Sequence, residues 1–185
     1  MLDFGSGCGS AGIAALRHGA AHVELNDIDP MALSACSENI HENMLGGDSS
    51  EWASRVTLSQ QNLLDTEPEA IGDSAAPLPP CDVLLCGDVF YDEEFAQGVQ
   101  KMLVRALTCG TQVLVADPGR PALPGAAKRA LHETHEGEVP SVCSWEHLYS
   151  IDLPHNVRCV SNGHPECHVW QLRLPSEAAD PAKPL

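Results

Sequence analysis

Short apolar runs bounded by Gly, Pro and polar clusters alternate along this chain with stretches whose apolar residues recur every three to four positions. The first kind predicts strands, the second helices. Met1–Phe4 reads as the stub of a strand, followed by a glycine-rich turn and a helix over Ala11–His18. His22–Asp27 predicts a second strand. Asp29-Pro30 then opens a helix running to Met44, with Pro in the first turn, where its missing N–H costs nothing. Arg55–Ser59 is a third, short strand. Asp82–Gly87 is a fourth, near-continuously apolar as a strand buried on both faces should be. Phe95, Val99, Met102, Leu103 and Ala106 recur at helical spacing and predict a helix over Glu93–Leu107. Gln112–Ala116 is a fifth strand and Gly125–His135 a further helix. Ser144–Leu153 and Glu166–Leu174 close the pattern as an antiparallel strand pair.

Strands alternating with helices imply an α/β fold, a mostly parallel sheet covered on both faces. The expected domain is 1–174, with a disordered tail over 175–185 that has no apolar periodicity. Gly46–Ser54 and Asp65–Pro80 read as loops. A first strand normally has four to eight residues; the stub at Met1–Phe4 raises the expectation that an upstream part of the protein lies outside this chain.

Composition narrows the partners. The 185 residues are 43% apolar and carry 26 acidic against 10 basic residues, a net charge of −16. Phosphate-backbone binding needs clustered Lys and Arg, so nucleic acid is not an expected partner; a basic or cationic partner suits this charge better. No apolar run approaches the ~20 residues a membrane helix needs. The eight cysteines, Cys8, Cys36, Cys81, Cys86, Cys109, Cys143, Cys159 and Cys167, form no C-x-x-C pair, and several sit in apolar runs. They read as reduced thiols. His164-Pro-Glu-Cys-His168 gathers Cys and His, but no second ligand pair stands at a zinc-like spacing, so no metal site is expected.

The sharpest local signal is Asp3-Phe-Gly5-Ser-Gly7-Cys-Gly9-Ser-Ala-Gly12, between a strand and a helix. Such glycines allow a tight turn and close approach of a ligand to backbone, and the helix behind them offers unpaired N–H groups. Gly7-x-Gly9-x-x-Gly12 matches a dinucleotide fingerprint, with Asp27 at a plausible distance. A turn without any ligand is the bland alternative. Two features favour a cationic ligand instead. Asp3, two residues before the first glycine, would repel a pyrophosphate and attract an ammonium or sulfonium. Asp27, ending the second strand, is placed to accept hydrogen bonds from ribose hydroxyls.

Leu2-Asp-Phe-Gly-Ser-Gly-Cys-Gly9 followed by Asn26-Asp-Ile-Asp-Pro30 resembles the small seven-strand, Rossmann-like class I protein-lysine methyltransferases. Gly87-Asp-Val-Phe-Tyr-Asp-Glu93 and Val115-Ala-Asp-Pro-Gly-Arg-Pro121 narrow the resemblance to the branch acting on the electron transfer flavoprotein β subunit. It runs in order from about Leu2 to Pro121. The resemblance implies S-adenosylmethionine as cofactor, with Asp3, Gly5, Gly7 and Gly9 lining its methionine end, Asp27 its ribose and Asn62 its adenine. It implies that Asp88 and Tyr91, in Asp-x-x-Tyr after strand four, face the substrate. It further implies a mitochondrial matrix enzyme that tempers electron acceptance by that flavoprotein subunit; without the resemblance the compartment is cytoplasmic. Asp117 and Arg120 could shape a substrate rim or form a plain loop salt bridge. Asp88 could equally cap the next helix, and Tyr91 could be packing. Competing functions are a small-amine methyltransferase, a shortened non-catalytic form that binds a partner, and a nicotinamide dehydrogenase. Which lysines are modified, and to what degree, is not written in the sequence.

Overall fold

A computed structural model describes residues 1–43, 54–64, 78–131, 143–158 and 163–174. The loop predicted at Gly46–Ser54 lies outside them except for its last residue. So do most of the Asp65–Pro80 loop, the end of the Gly125–His135 helix and the 175–185 tail. The seven strands form one mixed sheet in the order β3-β2-β1-β4-β5-β7-β6. The chain divides after Gly87 into two compact units, Met1–Gly87 and Asp88–Leu185.

In Met1–Gly87, β1 (Leu2–Phe4) lies between β2 (Val23–Asn26) and β4 (Val83–Gly87), and β2 also pairs with β3 (Val56–Ser59); all these pairings are parallel. All three β1 residues are buried, as an interior strand with helices on its faces demands. Helix α1 (Ser10–Arg17) and helix α2 (Pro30–Asn43) supply Ile13, Leu16, Cys36 and Ile40 to one apolar cluster with Val23 and Leu25 of β2. Helix α1 ends where the sequence can leave it. Gly19 takes φ 99°, its N–H reaches the Leu16 carbonyl, and the Ala20 N–H reaches Ala15. This is the Schellman arrangement, which satisfies carbonyls the helix end would otherwise strand.

In Asp88–Leu185, helix α3 (Glu93–Thr108) starts at Asp92, whose carboxylate accepts the Phe95 N–H at 2.8 Å, with Glu93 and Glu94 in the first turn. Both features favour a helix N-terminus. Its apolar face buries Ala96, Val99, Met102, Leu103, Ala106 and Leu107, and Gly110 ends it as Gly19 ends α1. β5 (Gln112–Asp117), β7 (Glu166–Arg173) and β6 (Ser144–Asp152) are antiparallel neighbours, with a register shift between His147 and Tyr149. Edge-to-face contacts of Trp145 with Phe90 and Trp170 fill this core. Helix α4 spans Gly125–Leu131. A one-turn helix α5 (His155–Arg158) was not legible, being too short for any periodicity. Among the described residues no helix is long and apolar enough to cross a membrane.

One contact fixes how closely α1 lies on the sheet. A Cβ at Gly12 would stand 2.2 Å from Leu25 Cδ2, 3.0 Å from Val23 Cγ1 and 3.1 Å from Asp3 Oδ2. Leu25 and Val23 are fully buried in the core, where a displaced side chain must disturb its neighbours. Gly12→Ala gains about 1 kcal/mol of helix propensity, but overpacking typically costs about 1–3 kcal/mol. The clash should win: thermal unfolding of Gly12→Ala is expected roughly 2–6 °C below wild type.

Candidate functional site

The glycine turn of the first unit is built by left-handed backbone. Gly5, Gly7 and Gly9 have φ of 63°, 53° and 81°, a region that penalises any side chain. The turn is held from three sides. Ser6 N–H donates to the Asn26 carbonyl at 2.9 Å and Gly9 N–H to Ser6 at 2.7 Å. From α2, the Cys36 thiol donates to the Gly7 carbonyl at 3.1 Å and the Asn39 amide to the Cys8 carbonyl at 2.8 Å. Cys36 and Asn39 were not singled out from sequence; they share one helix face, and nothing in their spacing tells a loop-holding residue from an ordinary one. Open space lies where a Gly7 Cβ would be, so a ligand could come directly against backbone there.

The two carboxylates of this half have different surroundings. Asp3 is only 2% exposed, and its Oδ2 accepts the Gly12 N–H at 2.8 Å. Burial pushes its pKa up to about 6; the Gly12 hydrogen bond pulls the other way, and the nearby Asp27 charge adds to the rise. Asp27, half-buried at the end of β2, accepts Gly7 N–H on Oδ2 and Asp29 N–H on Oδ1, both at 2.9 Å. A carboxylate has about four acceptor sites, so each oxygen keeps capacity for a hydroxyl. Asn62 is exposed, its Oδ1 accepting Leu64 N–H at 3.1 Å in a local turn. The segment leading to it is tied to β2 by the buried Asn26, whose amide donates to the Ser59 and Gln61 carbonyls. Two carboxylates around a glycine turn suit a cationic ligand with hydroxyls and oppose a pyrophosphate.

In the second unit, Asp88 is the one non-glycine with positive φ among the described residues, at 57°. Its N–H donates to the Ala116 carbonyl at 2.7 Å. Such a conformation costs energy and is found where a side chain must be aimed. What it aims is the carboxylate, which meets the Arg120 guanidinium through both Nε and Nη2, the latter at 2.6 Å from Oδ2. Asp88 therefore does not cap α3; Asp92 does. Nor do Asp117 and Arg120 pair through their side chains in a loop bridge. Asp117 Oδ1 accepts the backbone N–H groups of Gly119 and Arg120, each at 2.7 Å, and fixes the turn that delivers Arg120 to Asp88. Asp117 is fully buried, and its Oδ2 has no hydrogen-bond partner. Burial raises its pKa, against the pull of those two N–H groups. Tyr91 is 62% exposed, its ring stacked on Phe95 with centroids 5.1 Å apart.

Cys8, Cys36, Cys86, Cys109 and Cys167 are free thiols. Among the described residues no group of three or more His, Cys, Asp or Glu could hold a metal ion. His168 instead shares a hydrogen bond with Ser150 Oγ at 2.7 Å.

Parallel strands closed by an antiparallel pair define the Rossmann-like seven-strand methyltransferase fold. The N-methyltransferase NodS from Bradyrhizobium japonicum shares it with a TM-score of 0.50 at 14% identity, over 94% of this chain and 84% of that one. So does the SpnF cyclase, with a TM-score of 0.53 at 13% identity, over 94% and 74%. Residues 1–70 match the family model of ribosomal protein L11 methyltransferases. In sequence the chain is similar to the electron transfer flavoprotein beta subunit lysine methyltransferases of animals. It is 32% identical to that of Mus musculus over 173 residues, which are 93% of this chain and 56% of the relative. It is 35% identical to that of Homo sapiens over 74% of this chain and 46% of the relative. The chain thus spans about half the length of the curated relatives it matches.

Asp3 makes stability depend on pH in a definite direction. Its folded pKa of about 6 exceeds the ordinary 3.8, so the folded state holds the proton more tightly. Its contribution is full below about pH 4 and is lost as pH rises through 6. Asp3→Asn removes this dependence. The stability difference between variant and wild type, from urea unfolding, should move by roughly 2–3 kcal/mol in the variant's favour between pH 4 and pH 7.

Proposed function

We propose that this chain carries the cofactor-binding and catalytic core of an S-adenosylmethionine-dependent protein-lysine N-methyltransferase that acts on the electron transfer flavoprotein β subunit. The observation that carries the reading is its 32% identity, over 93% of its length, to a lysine methyltransferase of that subunit. The geometry supports it residue by residue. Gly5, Gly7 and Gly9 would admit the methionine end of the cofactor against backbone, with Asp3 as the negative charge beneath the turn. Asp27 would accept the ribose hydroxyls on its remaining lone pairs, and Asn62 would meet the adenine edge.

S-adenosylmethionine would supply the electrophilic methyl group. The protein's own task is to present a neutral amine in line and to exclude water. A free lysine has a pKa near 10.4, so deprotonation at pH 7 costs about 4–5 kcal/mol. An apolar channel and a neighbouring positive charge lower that cost. Asp88 would anchor the arriving ammonium and Tyr91, exposed on its Phe95 support, would form one wall of the channel. The proton can leave to water. Similarity to relatives of that name is also the ground for a place in the mitochondrial matrix; a diffuse cytosolic signal from a green reporter fusion would remove it.

Calorimetric titration of the chain tests the cofactor. Micromolar binding of S-adenosylmethionine with no heat from NAD is expected, and binding of NAD alone would overturn the reading. Asp27→Ala should weaken the methyl donor about 10–100-fold, since it deletes charge-assisted hydrogen bonds. Asp88→Ala should lower kcat/KM on the flavoprotein subunit about 10–100-fold with cofactor binding intact; undiminished turnover would remove Asp88 from the mechanism.

A further inference from the structure

Arg120 is the residue the proposed chemistry leaves without a task. Its guanidinium forms a two-pronged pair with Asp88, the carboxylate assigned above to the substrate ammonium. Considerable backbone is committed to making that pair. Asp88 takes a left-handed conformation, Gly119 takes φ 92°, and the buried Asp117 carboxylate holds the Gly119 and Arg120 N–H groups. The pair is also lopsided. Arg120 has only 13% of its side chain exposed, whereas Asp88 has 48%. The cation backs the carboxylate from the protein side and leaves the carboxylate's outer lone pairs open to solvent.

A bare carboxylate would serve this reaction poorly. It would grip an arriving ammonium, but it would also hold the amine in its protonated, unreactive form. We propose that Arg120 is a positioning residue that offsets most of the Asp88 charge, so that Asp88 orients the substrate amine without retaining its proton. This inference rests on the function proposed above. Because the fork occupies one side of the carboxylate, two of its roughly four acceptor sites remain for the incoming nitrogen. Arginine suits this place better than lysine, since it stays charged and its planar fork fixes the carboxylate in one orientation. Among the described residues, the other titratable groups whose charges reach this pair are Asp117, at the end of β5, and Cys167 on β7. His168 lies opposite Asp117 in the β5–β7 register. All are unaltered in the variants below, so a change in pH dependence reports Arg120.

Arg120→Gln and Arg120→Met each remove the charge, the second keeping the apolar stem; Arg120→Lys keeps the charge and loses the fork. In the methylation of the flavoprotein subunit, both neutral variants should lower KM several-fold and lower kcat at pH 7. The acid limb of their kcat–pH profiles should move up by about one unit, so that kcat recovers in alkali. Arg120→Lys should keep the limb near its wild-type position. A limb that stays put in both neutral variants while activity falls at every pH would make Arg120 a strut and overturn the inference. Loss of the folded circular dichroism spectrum in both would do the same. A second readout separates this from failure of the proposed function. Binding of n-butylammonium, a lysine side-chain mimic, followed by NMR shifts of the residues around Asp88, should be about tenfold tighter in the neutral variants. Wild-type protein that binds the methyl donor but never methylates the subunit counts against the function. Unchanged butylammonium affinity counts against Arg120.

Discussion

The contact on which the first unit depends is the hydrogen bond from the Gly12 N–H to the buried Asp3 carboxylate. It joins β1 to the first turn of α1 across the glycine turn, and so fixes the direction in which that turn's backbone faces. It is possible only because Gly12 has no Cβ; any side chain there would strike Leu25 and Val23 and lift the helix off β2. Packing and electrostatics therefore meet at one residue pair. The helix is close because Gly12 is bare, and the carboxylate is tolerable in the core because the helix N-terminus is close. The raised pKa of Asp3 is what remains of the cost.

Three aspartates in or just after strands show three ways of holding a negative charge. Asp3 is buried with one N–H partner, Asp117 is buried with two, and Asp88 is half-exposed with a full guanidinium. The differences follow from what each must face. Asp3 and Asp117 work on backbone, where partial positive charge on N–H groups is enough to organise a turn. Asp88 alone keeps lone pairs toward solvent, and it alone has a counter-charge that persists at every working pH. A carboxylate meant only to stabilise the fold would have no reason to combine exposure, a strained backbone and a dedicated arginine.

Much of this was legible in the sequence, for reasons that also explain what was not. Val83–Gly87 and Gln112–Asp117 announced themselves because interior strands must be apolar, and the α3 face because Val99, Met102, Leu103 and Ala106 fall on one stripe. The glycines of the turn were readable because left-handed backbone selects for glycine at Gly5, Gly7 and Gly9. Periodicity carries no such information about partners far apart in the chain. Asp88 and Arg120 are 32 residues apart, and each has a closer neighbour of opposite or capping character that sequence could equally have paired with it. Cys36 and Asn39 looked like ordinary helix positions; only the path of the glycine turn beside α2 gives them carbonyls to hold. One-turn helix α5 left no pattern at all.

A shared fold also limits what the glycine turn can decide. A cyclase and an N-methyltransferase both superpose on this chain at similar quality, so the sheet and its first turn specify a place for a ligand and not a reaction. The reaction must be decided where the substrate's reacting atom is held. In this chain the proposed place for that atom is the Asp88–Arg120 pair that follows β4 and β5. A cyclase needs no anion to steady an ammonium. A half-neutralised carboxylate beside an exposed tyrosine is suited to an amine that must arrive charged and react neutral. That requirement belongs to N-methylation of an amine, and it is the one that the role proposed for Asp88 answers.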